Sequence, residues 1–412
     1  MGRNTMRNKQ ILISGASIAG PALACWLGRY GFDVTVVELA SELRRGGSAV
    51  DFRGEVNMTL LARMGILEDL RRVQTGGTPM RFVDASGRTR LYLPAEFAGG
   101  DVEVHRFDLA RILHEHSRNT TDYVFGDSIT ELRQTPEGVH VTFASGKRRT
   151  FDLVIGADGI HSNVRRLAFG PEESYVSHLG YYVATWETAN ILGVDRGSLL
   201  HNAPGRAIGL GADEVDRARG SGFAIFAAPQ LDYDRHDIDQ QKQLIAEAFA
   251  GVGWHAQQLV GTLRDADGFY FDSISRADVP AWSQGRIALV GDAACGATIG
   301  GMGTGTAIVA AYALAGELTL AAGDHTVAFG RYESLLRPYA QKTQQGGDRT
   351  GKFLAPRSRI ALRLRDMILS RRFAMNLMLK AGQEQAAGID LPNYPAIGTT
   401  TPGRLDRDGR SN

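Results

Sequence analysis

The sequence predicts an α/β protein: a parallel-sheet domain with an antiparallel sheet inserted into it and a helix closing the chain. Three observations predict it. The run from Ile11 to Glu38 has the apolar pattern and glycine spacing of a strand–turn–helix–strand unit. Two later apolar runs end abruptly at Asp158-Gly159 and at Gly291-Asp292. Between them, from about residue 172 to 275, the pattern changes to short alternating stretches that suit antiparallel strands.

In the first unit, Ile11-Leu12-Ile13 reads as a buried strand, Ile18 to Tyr30 as a helix, and Asp33 to Glu38 as the next parallel strand. Gly15 allows the tight turn and Gly20 lets the helix approach the sheet, while Ser17 occupies the place of a third glycine. The helix start, at Ile18 and Ala19, offers unpaired N–H groups and a positive dipole end to a pyrophosphate. Glu38, about twenty residues on, is placed to accept a hydrogen bond from a ribose 2′-OH. This is a Rossmann-like pattern.

The distant motifs extend the same logic. Asp158-Gly159 follows a buried strand and leads through His161-Ser162-Asn163 into a helix. Alone, such a pair is usually only a turn. Gly291-Asp292 repeats the arrangement, and Gly300 to Gly305 then opens an apolar helix from Ala307 to Leu320. Asp292 suits a ribityl hydroxyl. Backbone N–H groups of Gly301, Met302, Gly303 and Thr304 suit the electron-rich pyrimidine edge of a flavin. Three loops, each fitted to a different part of one long dinucleotide, point to FAD.

With these motifs in this order, and with the segment Val104-His105-Arg106-Phe107-Asp108-Leu109 between them, the chain resembles the single-component FAD-dependent aromatic hydroxylases. These are the para-hydroxybenzoate hydroxylase-like flavoprotein monooxygenases, and the likeness runs to about residue 350. Among them it looks most like the compact tetracycline-inactivating and bacterial secondary-metabolite oxygenases. The resemblance implies that Arg106 contacts the flavin side of the cofactor, that Asp158 sits near the pyrophosphate, and that Asp292 binds the ribityl chain. It also implies that Leu39 and Arg45, after the acidic strand end, border the adenosine half.

The implied activity is a monooxygenase: NAD(P)H visits transiently as reductant, O2 adds at flavin C4a, and one oxygen atom passes to an aromatic or polyketide-like natural product or antibiotic. No side chain is assigned as catalytic base or nucleophile, because the cofactor supplies the chemistry. Family members carry a proline-bearing segment after the Gly-Asp motif. Here that place reads Cys295-Gly296-Ala297-Thr298-Ile299, which keeps two alternatives open: a non-oxidative cyclase retaining FAD as a structural cofactor, and a flavin-loaded binding protein.

Residues 8–75, 100–171 and 276–350 are expected to form the FAD-binding domain, and 76–99 with 172–275 the substrate-binding domain. Trp186, His201, Asn202, Arg206, Phe223 and Phe226 are candidate pocket residues, each weighed against simple packing in a sheet. The basic, amphipathic stretch Arg359 to Lys380 is expected to be one bridging helix within 351–385, as the resemblance implies, with a membrane-surface role as the alternative. Residues 386–412, rich in Pro, Gly, Arg and Asp, are expected to be loosely ordered.

Bulk composition excludes several classes. The 412 residues are 43% hydrophobic and 22% charged, with a net charge of +1, so no overall field draws the protein to nucleic acid. Cys25 and Cys295 make no disulfide framework, and no Cys/His spacing resembles a zinc site. No apolar run reaches the roughly 18 residues of a membrane span. The expectation is a cytoplasmic protein, a monomer or weak homodimer, without stable membrane association.

Overall fold

The computed structural model describes residues 6–44, 49–213, 216–299, 303–386 and 388–394. The strand Gln10–Ser14 lies at the centre of a six-stranded sheet. Asp33–Glu38 and then Thr121–Phe125 flank it on one side, and Leu153–Gly156, Ile287–Leu289 and the short Ser283–Gln284 on the other. All neighbours run parallel except the last pair. These strands are apolar almost throughout, as a sheet covered on both faces must be. The helix Ala19–Arg29 packs on the sheet and against the long helix Gly303–Leu320, whose alanines and glycines allow close contact.

A seven-stranded sheet forms the second layer. Its order is Asp267–Ala277, Val176–Ala189, Arg219–Ala227, Arg206–Ala212, Ser198–Ala203, Met80–Val83 and Thr89–Leu93. The strands Met80–Val83 and Thr89–Leu93 form a hairpin at the edge of this sheet, joined parallel to Ser198–Ala203. Residue alternation gives the sheet two apolar faces. Tyr182, Ala184, Trp186, Ile208, Leu210, Ala224 and Phe226 face the helices Ile238–Ala248 and Ala256–Gly261. Tyr181, Val183, Ala207, Ile225 and Ile274 form the opposite face, packed against the end of helix His325–Leu354.

Two expectations about the C-terminus need correction. The stretch Arg359 to Lys380 is not one helix but two, Arg359–Leu369 and Arg372–Ala386. At the break the Ser370 hydroxyl donates to the Asp366 carbonyl, and Ser370 and Arg371 close the first helix. Nor is everything beyond residue 386 loose. Tyr394 is buried, its hydroxyl donates to Glu317 Oε1 at 2.8 Å, and its ring fills the space that Gly316 leaves. Residues 395–412 lie outside the described part.

Candidate functional site

Four parallel strands end along one edge of the six-stranded sheet, and each delivers one of the acidic or glycine motifs. This is the edge where ligands bind in open α/β sheets. Gly15 follows the first strand with a φ of +107°, and a Cβ there would stand 2.5 Å from the Ala157 carbonyl oxygen. A Cβ on Gly20 would stand 1.9 Å from the Gly15 oxygen. Both positions therefore require glycine, as the spacing predicts. No side chain caps the first turn of the helix that follows, so its amide donors remain for an anion.

The separated motifs touch one another. Ser14 Oγ donates to Asp158 Oδ2 at 3.2 Å, joining the first strand end to the second motif. Asp158 also accepts from the Val164 amide at 3.0 Å and from the Ser162 hydroxyl, and burial pushes its carboxyl up. Arg165, fully buried, donates to the Ala293 carbonyl at 2.9 Å, tying the second motif to the third. A Cβ on Gly291 would sit 3.1 Å from that of Ala19. Arg106 Nη2 donates to Ser17 Oγ at 3.1 Å.

Glu38 accepts from the Ala16 amide at 2.8 Å and the Ala40 amide at 3.0 Å, so its carboxylate is held at the strand end beside exposed Leu39. Burial raises the Asp292 carboxyl and the positive charge of Arg106 opposes that rise. Among the described residues nothing donates a hydrogen bond to the Asp292 carboxylate; the Gly296 amide bonds only its backbone carbonyl, at 3.2 Å. The carboxylate is an acceptor held in the cleft and open to a hydroxyl. Gly303 begins the long helix, with its Cβ position 3.2 Å from Asp292 Oδ1, and Thr304 follows. Arg45, Gly301 and Met302 lie outside the described residues.

The features on this edge suit a dinucleotide. A phosphate has a glycine turn and an uncapped helix start, a ribose has a fixed carboxylate, and a ribityl chain has an unshared acceptor next to a guanidinium. Gly15, Ser17, Ile18, Ala19, Gly20, Glu38, Arg106, Asp158, Asp292, Gly303 and Thr304 lie on strand ends, turns and helix starts.

The candidate pocket residues fare differently. Trp186 is buried between the seven-stranded sheet and its outer helices, where its indole N–H donates to Thr262 Oγ1 at 2.8 Å. It rests on Gly222, whose Cβ would meet the ring at 2.1 Å. Phe226 packs in the same layer with Tyr182, Phe249 and Phe271. His201 is there too, stacked on Trp254 and bonded to the Val83 carbonyl at 3.1 Å. Arg206 pairs with Phe226 in register and shares its face. These four point away from the cleft and are not pocket residues.

Asn202 is on the correct face but is committed: it donates to the Leu354 carbonyl at 2.8 Å and accepts from Arg365 at 2.8 Å. Phe223 is part-buried on the sheet face opposite the outer helices, packed beside Phe82 and Leu200 on one side and Val183 and Ile225 on the other. Trp186→Ala is expected to lower stability by about 3–5 kcal/mol while leaving the visible spectrum of bound flavin unchanged. Thermal unfolding and absorbance measured on one sample check both halves.

Sequence reasoning missed a cluster beside the second motif. His161 Nδ1 lies 3.1 Å from both Glu172 oxygens, and its Nε2 lies 3.0 and 3.1 Å from the Asp272 oxygens. Arg235 donates to Glu172 at 2.7 Å, and the Tyr270 hydroxyl to Asp272 at 3.3 Å. Burial alone would lower the imidazolium. The bonds to Asp272 and Glu172 outweigh that and raise it to about 9. Burial would raise Glu172, but His161 and Arg235 hold it down at about 2.

The cluster ties the second motif to the seven-stranded sheet. Tyr270 pairs with Thr185, which pairs with Phe223, so the three form one row across adjacent strands. Tyr270 keeps 39% of its surface accessible although protein surrounds its phenol and burial raises it. Arg106 and Asp292 lie close enough for their charges to act on that phenol. Thr185 Oγ1 is buried without a hydrogen-bond partner. His161 stands within the Asp-Gly motif, but its partner Asp272 is 111 residues away in a strand of ordinary appearance.

Residues 8–346 match the family described as FAD binding domain. The flavin-dependent monooxygenase of Legionella longbeachae serogroup 1 (strain NSW150) is 37% identical over 346 residues, covering 83% of this chain and 88% of that one. The crystal structure of tetracycline destructase Tet(51) superposes with a TM-score of 0.84 at 31% identity, covering 94% of this chain and all of the other. Tetracycline destructase Tet(55) gives 0.81 at 34% identity over 96% of this chain.

Proposed function

The chain belongs to the FAD-binding family of flavin-dependent monooxygenases, and from that premise we propose that it uses NAD(P)H and O2 to insert one oxygen atom into an aromatic or polyketide-like natural product or antibiotic. When bound, FAD supplies the redox chemistry, taking a hydride from the nicotinamide and activating O2. The observation that carries the reading is the meeting of three distant loops at one sheet edge, with Tyr270 within reach of the charges of Arg106 and Asp292. Likeness to two tetracycline destructases over nearly the whole chain supports a fused-ring, oxygenated substrate class.

The protein's own part is to bind, orient and exclude water. The Gly15–Gly20 turn, with Ser17, Ile18 and Ala19, receives the pyrophosphate. Glu38, with Leu39 and Arg45, holds the adenosine end. Asp158 acts through the loops it braces. Arg106 and Asp292 hold the ribityl and flavin side, with Gly301, Met302, Gly303 and Thr304 along the pyrimidine edge. In place of the earlier pocket candidates we assign substrate contact to Tyr270, Thr185 and Phe223: an aromatic platform, one unpaired hydroxyl and one apolar wall. The 76–99 and 172–275 segments form the substrate domain in this reading, and the cytoplasm supplies the NAD(P)H.

The test is NAD(P)H oxidation and O2 uptake against a panel of polycyclic aromatic and tetracycline-type compounds. The expected result is consumption stimulated by one member, whose product gains the mass of one oxygen atom. A rearranged product of unchanged mass, formed without NAD(P)H or O2, would instead support the cyclase. Tight binding with ligand unchanged under every redox condition would support a binding protein.

A further inference from the structure

The helix pair near the C-terminus has apolar residues on two sides. Its inner side, with Leu369, Met375 and Leu379, packs into the cluster of Phe82, Leu91, Leu93 and Leu200. Its outer side carries Ile360, Leu364, Met367 and Ile368 on the first helix and Phe373 and Leu377 on the second, all exposed. The first four lie at i, i+4, i+7 and i+8, one continuous stripe. Ile360 is 78% exposed and Phe373 80%. Scattered surface leucines need no explanation, but a contiguous stripe of this kind marks an interaction site.

Its surroundings identify the occupant. Arg359, Arg363, Arg371 and Arg372 border the stripe, all exposed, and among the described residues no acid pairs with them. The acid on the first helix, Asp366, is turned to Arg365. A second copy of the chain would bring four like charges against four across a two-fold contact. Within residues 395–412 only Ile397 and Leu405 are large and apolar.

We propose that the outer face of the 359–386 helix pair is a reversible docking surface for an anionic lipid bilayer, the apolar stripe entering the acyl boundary and the arginines meeting the head groups. Apolar burial and basic charge together are what hold an interfacial helix on such a surface. No helix among the described residues is long and apolar enough to cross a membrane, so the contact is peripheral. This refines the expectation of no stable membrane association.

Flotation of the FAD-loaded protein with phosphatidylcholine vesicles, with and without phosphatidylglycerol, tests it. Binding is expected only to the vesicles containing phosphatidylglycerol and is expected to weaken as salt rises. Each arginine near the surface is worth roughly fivefold in affinity, so the pair Arg363→Glu and Arg372→Glu should reduce binding by more than tenfold. The pair Phe373→Ser and Leu377→Ser should also reduce it strongly. Flavin absorbance and thermal unfolding should stay as in the parent protein, since these side chains are exposed. Absence of binding at low salt would overturn the proposal. So would binding indifferent to these substitutions, or lipid-free dimerisation that the same substitutions abolish.

Discussion

Gly20→Ala is expected to abolish FAD retention and to lower the stability of the parallel-sheet domain. The added methyl would stand 1.9 Å from the Gly15 carbonyl oxygen and 3.3 Å from Ile13 Cγ2. The nearest obstacle is backbone, not a side chain that can swing away. Either the helix start moves off the sheet or the Gly15 turn opens, and both displace the amide donors that face the pyrophosphate. Overpacking a fixed site costs typically about 1–3 kcal/mol, and this contact belongs at the upper end. The effect on cofactor affinity should exceed a hundredfold, because several donors move together.

Gly253→Ala is the control. That glycine is not left-handed and has open space around its Cβ position, so stability should change by no more than about 0.5 kcal/mol. Flavin content after gel filtration, with thermal unfolding of both variants, checks the contrast. A Gly20→Ala protein that keeps its flavin would remove the phosphate role of the turn.

The second large effect is at His161. Replacement by alanine leaves the Glu172 and Asp272 carboxylates without the cation that separates them. Breaking a largely buried ion cluster by removing one member costs about 3–5 kcal/mol. The pH dependence has a definite sign. Folded His161 holds its proton up to about 9, against the ordinary 6.5. Its stabilisation is fully present below about pH 6.5 and is lost as pH rises through 9. That rise corresponds to about 3 kcal/mol. Glu172, held at about 2 against 4.5, contributes stability that is present above about pH 4.5 and lost as pH falls through 2.

The parent protein should therefore lose stability between pH 6.5 and 9, and His161→Gln or His161→Ala should flatten that loss. Denaturant unfolding at pH 6, 7.5 and 9 reads it. An unchanged slope in the variants would show that His161 does not clamp the second motif to the seven-stranded sheet. Under the proposed function the clamp also positions Tyr270, which lies on the same strand as Asp272 and within reach of the charges of Arg106 and Asp292.

Features with a local cause were legible in the sequence. Gly15, Gly20, Glu38, Asp158 and Asp292 could be found because tight turns and strand ends need particular residue types at fixed spacing. Alternation from Tyr181 to Trp186 showed a strand but not which of its faces meets the cofactor-binding edge. Trp186 and Phe226 belong to the layer buried under the outer helices, while Thr185 and Tyr270 lie on the opposite face of the sheet. The His161 cluster joins positions 111 residues apart, and no local pattern announces such a pairing. The helix break at Ser370 was equally silent, because no glycine or proline marks it.

FAD bound where the three motif loops meet should be reducible by NAD(P)H, and an anaerobic titration of the purified or reconstituted protein tests this most directly. The predicted result is one FAD per chain, identified after denaturation, whose visible absorbance bleaches on addition of NAD(P)H and returns when air is admitted. Protein that binds no flavin after reconstitution, or flavin that NAD(P)H fails to reduce even with a candidate substrate present, would contradict it.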